Sequence, residues 1–513
     1  MKTTTFGRFS PTPWLPKDGA QHNSRIFSNH PKTLISSTKS NAQDYSHAQL
    51  KAMSQWGYDP TLSATTFRNH IATAAQYKVE RALRTKSSLD EAFFYTSQSC
   101  ISEAFKISEF SSAREVLTLD VNSMFPWILK TAPFPDPSRL QLNTAKDILE
   151  KVMSGEIDNG IALCKVIYKS QWLEKLNEFA PIFFGASFGT SPITQASNEQ
   201  FVVWLHACEI RALWPYCTIE CALAIHSPKS IKHPLYSWVD KGYALKASAE
   251  PQEREVAKEA LTTLHSCTIT RKMTKTSWLD EEEVKTIFAN TFMSEPFERQ
   301  SYAQTIDQDD RGRSRLRIYD VHNPKNVYCL SSTVFAQARA RMFELIMHTS
   351  AIEGVRVCYS NIDSMHISLP QGQADRVLAG ISAFQRIGNQ LGELKVECQS
   401  KHGVWLDAGV YWLLDEDMQV KKFASIDAEQ SNPFKTHATY TYTCPLTHTP
   451  KEGVMPLFKS LSFYKRLDKS GNWTRPSSDE LLRGADHLAN QRTLELNKII
   501  KVFAKIRKMR RTD

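Results

Sequence analysis

The sequence predicts an α+β fold built on antiparallel strands, and two stretches carry that expectation. Residues 355–369 (VRVCYSNIDSMHISL) alternate apolar and polar positions, with Val355, Val357 and Tyr359 before a short polar break and Met365, Ile367 and Leu369 after it. That is the pattern of a β-hairpin. Its tip, Ser360-Asn361-Ile362-Asp363, sets a carboxylate beside two apolar strands. Far upstream, residues 116–129 (VLTLDVNSMFPWIL) run from a short apolar strand, Val116 to Leu119, through Asp120 into Ser123-Met124-Phe125-Pro126. The last four read as a helix start, where Pro is tolerated in the first turn. Two acidic residues at strand ends can hold divalent cations between them.

The bulk numbers bound the answer. A chain of 513 residues, 41% hydrophobic and 23% charged, is long enough for two to four domains and a large core. It holds no run of 18 apolar residues, so no membrane span is expected. The net charge of +9, from 63 basic and 54 acidic residues, permits a nucleic-acid groove without requiring one. Ten cysteines are scattered, and the nearest two in sequence, Cys217 and Cys221, do not form a C-x-x-C. They read as reduced thiols without a zinc signature, in a cytoplasmic protein of a bacterial or viral host.

Taken in order, residues 1–50 are rich in Ser, Thr, Asn and Pro and read as a loosely ordered arm. An acid-poor organelle-targeting segment over 1–43 and a nucleic-acid-contacting arm are left open. Residues 62–85 carry Phe67, Ile71, Ala74, Tyr77, Ala82 and Leu83 at helical spacing, a helix expected to pack on the next domain. PFPDP (133–137) reads as a loop and NGIALCKVIY (159–168) as a buried strand. FFGASFGTSPIT (183–194) lacks the spacing and Lys of a phosphate-binding loop. Trp204, Leu205, Ala207, Ile210 and Leu213 suggest a helix. So do residues 251–270, with Val256, Ala260, Leu261 and Leu264 on one face. Asp280-Glu281-Glu282-Glu283 is read as a helix cap, and residues 307–317 as a solvated hairpin or loop. Residues 331–349 form a further helix that Ser332 or Thr333 can cap. The terminus, LELNKIIKVFAKIRKMRRTD, is an amphipathic basic helix with Leu496, Ile499, Val502, Phe503 and Ile506 on one side.

The two carboxylate stretches resemble motifs of family B DNA polymerases, above all the protein-primed branch of phages and linear plasmids. Asp120-Val121-Asn122-Ser123-Met124-Phe125-Pro126 is similar to motif A, D-x-x-S-L-Y-P. Tyr359-Ser360-Asn361-Ile362-Asp363-Ser364 is similar to motif C, Y-G-D-T-D-S, with Asn361 for its first Asp. Between them Lys258 matches the Lys of motif B, K-x-x-x-N-S-x-Y-G, from which Thr262, His265 and Ser266 depart. Glu103-Ala104-Phe105 resemble an upstream run whose Tyr-Gly-Gly part is Ser97-Gln98-Ser99 here. Ala340 and Arg341 keep the end of a T-x-x-A-R-like segment, with Gln337 for its Thr. Tyr411 keeps the Tyr of K-x-Y, with Gly409 for its Lys, and Lys421 and Lys422 fall in a V-K-x-x-G-like stretch with Ser425 for Gly. This collinear set spans residues 89–426, about two thirds of the chain.

The resemblance implies a right-hand polymerase fold: an antiparallel-sheet palm with fingers and thumb. The implied divisions are an N-terminal arm and helix (1–88), palm with motif A and an insertion (89–245), fingers and a short insertion (246–320), palm with motif C (321–428), and a thumb with the basic helix (429–513). The chain before Asp120 is too short for the family's exonuclease domain, so no proofreading is expected. By the same resemblance, Asp120 and Asp363 are the essential ligands of two Mg²⁺ or Mn²⁺ ions, assisted by Asn361 and Val121. Phe125, Ser123, Lys258 and Tyr359 would meet the incoming nucleotide, with Lys258 also counted as catalytic. Arg339, Arg341, Tyr411, Lys421, Lys422, Lys505 and Arg507 would face nucleic acid. The implied partners are template and primer DNA, dNTPs and a terminal or priming protein. The function implied is a protein-primed DNA polymerase. Two alternatives stay open, because the departures fall at usual active-site positions. One is a weakened palm protein that binds nucleic acid or a partner; the other is a template-independent nucleotidyltransferase.

Overall fold

The computed structural model describes most of residues 45–424, apart from 97–101, 177–200, 284–300, 321–324 and some shorter gaps; beyond 424 it describes only four short strands. The N-terminal arm, residues 183–194, and the C-terminal basic helix with Lys505 and Arg507 lie outside the described residues.

The chain opens with two helices, α1 (His47–Ser54) and α2 (Phe67–Ala82). Ser46 starts α1 in a capping box with Gln49, and Thr66 caps α2 by accepting from Asn69 N. The buried stripe of α2 is Phe67, Ile71, Ala75 and Val79. The expected Ala74 and Tyr77 fall off it, and Tyr77 is exposed, because a strict i, i+4 stripe already fills the contact face.

A 3-10 segment, Ser88–Thr96, leads to β1 (Ser102–Ala104), β2 (Ser108–Glu109) and β3 (Arg114–Val121), followed by α3 (Met124–Thr131). Next come β4 (Phe134–Pro135), β5 (Gln141–Asn143), α4 (Ile148–Ser154), β6 (Ile161–Tyr168), β7 (Phe201–His206), α5 (Ala207–Leu213), β8 (Cys217–His226) and β9 (Ser230–Ile231). Two expectations are corrected here. The stretch 204–213 is a strand followed by a helix, with the break at His206, which pairs with Ile161. The loop 133–137 contains β4, which pairs with β9.

Helices α6 (Tyr236–Lys246) and α7 (Pro251–Leu264) follow, α7 with Pro at its start and Val256, Ala260, Leu261 and Leu264 buried. Then come β10 (Lys272–Lys275), β11 (Ser301–Gln308) and β12 (Ser314–Asp320), one antiparallel sheet that includes the hairpin expected at 307–317. Asp280 and Glu283 bond each other's backbone N–H, as the acidic cap required.

Helix α8 (Tyr328–Ser350) is buried along most of its length and round most of its circumference. It begins before Ser332 and Thr333, so neither caps it; Thr333 bonds back to the Cys329 carbonyl. The N-terminal donors are instead met from 238 residues away, where the buried Asp90 carboxylate accepts from Tyr328 N and Cys329 N at 3.0 and 2.9 Å. The rest is β13 (Arg356–Asn361), β14 (Ser364–Pro370), α9 (Ala374–Ser382), β15 (Leu394–Ser400), β16 (His402–Asp407), β17 (Val410–Leu414), β18 (Val420–Ala424) and two short pairs, β19 (Ala438–Thr443) with β20 (Pro450–Met455) and β21 (Arg466–Leu467) with β22 (Trp473–Thr474).

The sheet that positions the carboxylates has the order β1-β13-β14-β3-β15, antiparallel throughout. It joins strands from residues 102–121 and 356–400, so its assembly waits on contacts far apart in sequence. A second sheet, β18-β17-β16-β2, shares β16 contacts with β1 and β3. A third, β5-β8-β6-β7, is built from the segment between β3 and α6. Helices α6 and α7 pack together, α1 and α2 pack on α7, and α3 touches α6 and α7. The N-terminal helices thus join the layer around α7.

Candidate active site

Asp120 stands near the end of β3, opposite Ser364 on β14 and Lys395 on β15. Asp363 occupies the tip of the β13–β14 hairpin, where its carbonyl accepts from Val121 N at 2.8 Å. One backbone bond therefore ties the hairpin tip to the residue after Asp120. Among the described residues only two non-glycine residues have positive φ, Ser123 at 55° and Ile362 at 57°. One is three residues past Asp120 and the other directly precedes Asp363. Such backbone costs about 1–3 kcal/mol each and collects where a site is held in a set geometry.

Burial and like charge act together on the pair. Loss of hydration, then Asp363 and Glu397, push the Asp120 carboxyl up to about 8, against the pull of Lys422 and Lys246. Burial also raises Asp363, to about 6; its backbone bond opposes this, Glu397 adds to it, and Lys258 and Lys246 counter it. Two carboxylates that share a site cannot both ionise cheaply without a cation.

Lysines ring these acids. Lys246, at the end of α6, donates to Asn122 Oδ1 at 2.9 Å and Ser123 Oγ at 2.6 Å. Desolvation, then Lys258, lowers its pKa, while Asp120 and Asp363 raise it. Lys258 on α7 is likewise lowered, chiefly by desolvation, against Glu397, Asp120 and Asp363. Glu397 sits in the β15 bulge between Val396 and Cys398 and pairs with Lys422 of β18. Burial acts to raise Glu397, but the Lys422 bond outweighs it and the carboxyl lies below its ordinary value. A bulge beside a site re-aims a side chain toward it.

Other expected site residues fall elsewhere. Val121 has its side chain in the core, which leaves only its backbone to face the site. Asn361 closes β13 opposite Ser364, and its carbonyl accepts from Asp363 N at 2.7 Å. Phe125 is 8% exposed, stacked on His265 at 4.4 Å and set edge-on to Phe335. Tyr359 is corrected: it is fully buried against His366 and Tyr411, so a nucleotide cannot reach it. Tyr411 is buried in the same cluster, 4.5 Å from His366, and is corrected from a nucleic-acid contact to a core contact. Arg339 is also corrected. It is 1% exposed and locked to Glu209 of α5 at 2.8 Å, because α8 is buried on the side that periodicity alone reads as its solvent face. Arg341 is half-buried over the Phe384 ring at 4.4 Å and bonded to Gln385. Lys421 lies exposed on the edge strand β18 and donates to the Gln399 carbonyl. Lys246 and Glu397 were not foreseen. A lone Lys at a helix end and a lone Glu within a strand carry no local pattern.

Among the described residues no group of three His, Cys, Asp or Glu side chains is spaced to cage a metal. Two hard carboxylates, raised first by burial and further by like charge, nevertheless fit Mg²⁺. That ion is bound through one or two carboxylates together with substrate phosphates rather than by an all-protein cage. No described helix is long and apolar enough to cross a membrane.

No protein-family model and no curated protein matches the chain. Solved structures do. Phi29 DNA polymerase complexed with primer-template DNA and incoming nucleotide substrates aligns with a TM-score of 0.51 and 12% identity, over 79% of this chain and 69% of that one. Phi29 DNA polymerase complexed with single-stranded DNA aligns at 0.46 and 14%, over 80% of this chain, which spans 62% of that one's length. The family B DNA polymerase from the hyperthermophilic archaeon Pyrobaculum calidifontis aligns at 0.32 and 12%, over 74% and 36%. The first of these likenesses is one of fold.

Proposed function

We propose that the protein is a DNA polymerase-type nucleotidyltransferase of the protein-primed kind, which transfers nucleotides from dNTPs to a primer by two-metal phosphoryl transfer, without proofreading. One observation carries the reading: Asp120 and Asp363 are tied together by the Val121–Asp363 backbone bond, flanked by strained backbone and ringed by lysines. The fold shared with a polymerase supports it.

In this reading Asp120 and Asp363 hold Mg²⁺ or Mn²⁺, with the Val121 carbonyl and the Asn361 amide as neutral oxygen donors. The bound cations supply Lewis-acid stabilisation of the phosphoryl oxygens and make the attacking hydroxyl more acidic. Lys246 and Lys258 bind the triphosphate as point charges. Lys246 is pre-positioned for this by Asn122 and Ser123. The exposed part of Phe125 excludes a 2′-hydroxyl by bulk and so favours deoxynucleotides. Lys422 keeps Glu397 ionised and so maintains the negative field at the carboxylates, while Lys421 and Arg341 contact the DNA backbone.

A second reading, a palm protein that binds nucleic acid but turns over weakly, is favoured by Asn361, which removes one carboxylate from the hairpin. Single-nucleotide incorporation separates the two. Each dNTP is offered against each template base, with a DNA primer and with a protein hydroxyl as the acceptor. Incorporation that follows the template base supports the polymerase. Untemplated products assign a terminal transferase, and binding without incorporation assigns the weakened palm.

A further inference from the structure

We propose that Cys164 and Cys221 form a reversible thiol–disulfide site in the β5-β8-β6-β7 sheet, open to small disulfides of the glutathione class. The two cysteines face each other in register across the antiparallel β6–β8 pair, at the bulge that follows Leu163 and Leu223. Directly opposed residues in such a ladder stand about 4.5–5.5 Å apart at Cα. That lies within the span of about 4.4–6.8 Å that a disulfide bridges without backbone movement. The two sulfurs are 3.6 Å apart, and no other pair of cysteine sulfurs among the described residues is in such contact.

The roles of the two thiols differ. Cys164 is fully buried, whereas Cys221 is part-exposed and is the point of entry. Cys221, which an incoming disulfide can reach, is therefore the attacking thiol, and Cys164, enclosed behind it, the resolving thiol. The thiol–thiol bond favours the Cys221 thiolate in the same direction. The Cys221 thiolate attacks one sulfur of oxidised glutathione, forms a mixed disulfide and releases one glutathione thiolate. Cys164 gives up its proton, attacks the Cys221 sulfur and releases the second glutathione. The protein loses two electrons and two protons, and oxidised glutathione takes them up as two thiols. The bond would fix the two central strands of the sheet. Its neighbouring strand β7 leads into α5, whose Glu209 holds Arg339.

The test uses the full chain incubated with oxidised glutathione, alkylated and mapped without reduction. The expected result is a linked peptide pair containing Cys164 and Cys221. The intact mass should fall by two hydrogens with no glutathione retained, dithiothreitol should restore it, and the oxidised form should melt higher. Cys164→Ala should instead trap glutathione on Cys221. A stable glutathione adduct on Cys221 in the unsubstituted chain, or no reaction at either cysteine, would overturn the proposal whether or not the variant folds.

Discussion

The ammonium of Lys246 donates to the hydroxyl of Ser123 across 2.6 Å, which fastens the end of α6 to the strained turn that follows Asp120. Side chains 123 residues apart are thus joined at the mouth of the site, and a cation is fixed before any ligand arrives. A hydrogen bond to a charged group contributes about 1.5–3 kcal/mol, or about 10–100-fold in affinity. Lys246→Met is therefore expected to raise the KM for dNTPs by at least about tenfold with a smaller change in kcat. Steady-state incorporation at varied dNTP checks it. An unchanged KM would remove Lys246 from the nucleotide site.

The carboxylate pair predicts a pH dependence of stability. Asp120 and Asp363 bind protons more tightly folded than unfolded, with folded values near 8 and 6 against about 3.9 in an unfolded chain. Their contribution is thus fully present below about pH 4 and is lost as pH rises through about 8. Glu259, pushed up to about 7 mainly by burial, adds the same sign, whereas His206, His233, His265 and His366, lowered mainly by burial, act with the opposite sign. The carboxylate pair is therefore read by difference: in chelator, the Tm of the unsubstituted chain relative to Asp120→Asn is expected to fall from pH 5 to 8.5, and Mg²⁺ should restore it more at the upper end. Thermal melts at the two pH values, with and without Mg²⁺, decide this.

Arg339 and Glu209 form an ion pair in which neither side chain is more than 2% exposed. Removing one partner leaves the other charge buried, at a cost of about 3–5 kcal/mol. Arg339→Met should lower the urea midpoint accordingly. Any DNA affinity should survive in the fraction that remains folded. A surface arginine would show the reverse pattern, with stability kept and affinity reduced.

Helix α8 is capped from outside its own sequence by Asp90. Asp90→Ala leaves two buried N–H groups without their acceptor and also removes the ion pair with Lys86. The expected loss is about 1–3 kcal/mol, read by chemical denaturation. Asp90→Asn, which keeps one acceptor oxygen, should cost less.

These comparisons also show which parts of the molecule local sequence could reveal. The hairpin around Asp363 and the strand–turn–helix at Asp120 were legible because their alternation is local and each bears its own carboxylate. The helices at 67–82 and 251–264 were legible for the same reason. Arg339 and Tyr359 were misread because the resemblance assigns them by their place in or beside a motif, which does not say whether that side of the element is covered, and both α8 and the β13–β14 hairpin are covered on both sides. The roles of Lys246, Glu397 and Asp90 were not legible, since each acts through a contact made only once distant elements have packed.

The central claim is that Asp120 and Asp363 together perform nucleotide transfer, and primer extension beside Asp363→Ala tests it most directly. The assay compares Mg²⁺ with Mn²⁺ and runs with and without a defined template. The account predicts template-encoded products from the unsubstituted chain and a loss of at least about a thousandfold in the variant, equivalent to about 4 kcal/mol of transition-state stabilisation. Circular dichroism and DNA binding should be unchanged. Extension that persists in a folded Asp363→Ala protein, or no extension in either metal by the unsubstituted chain, would contradict it.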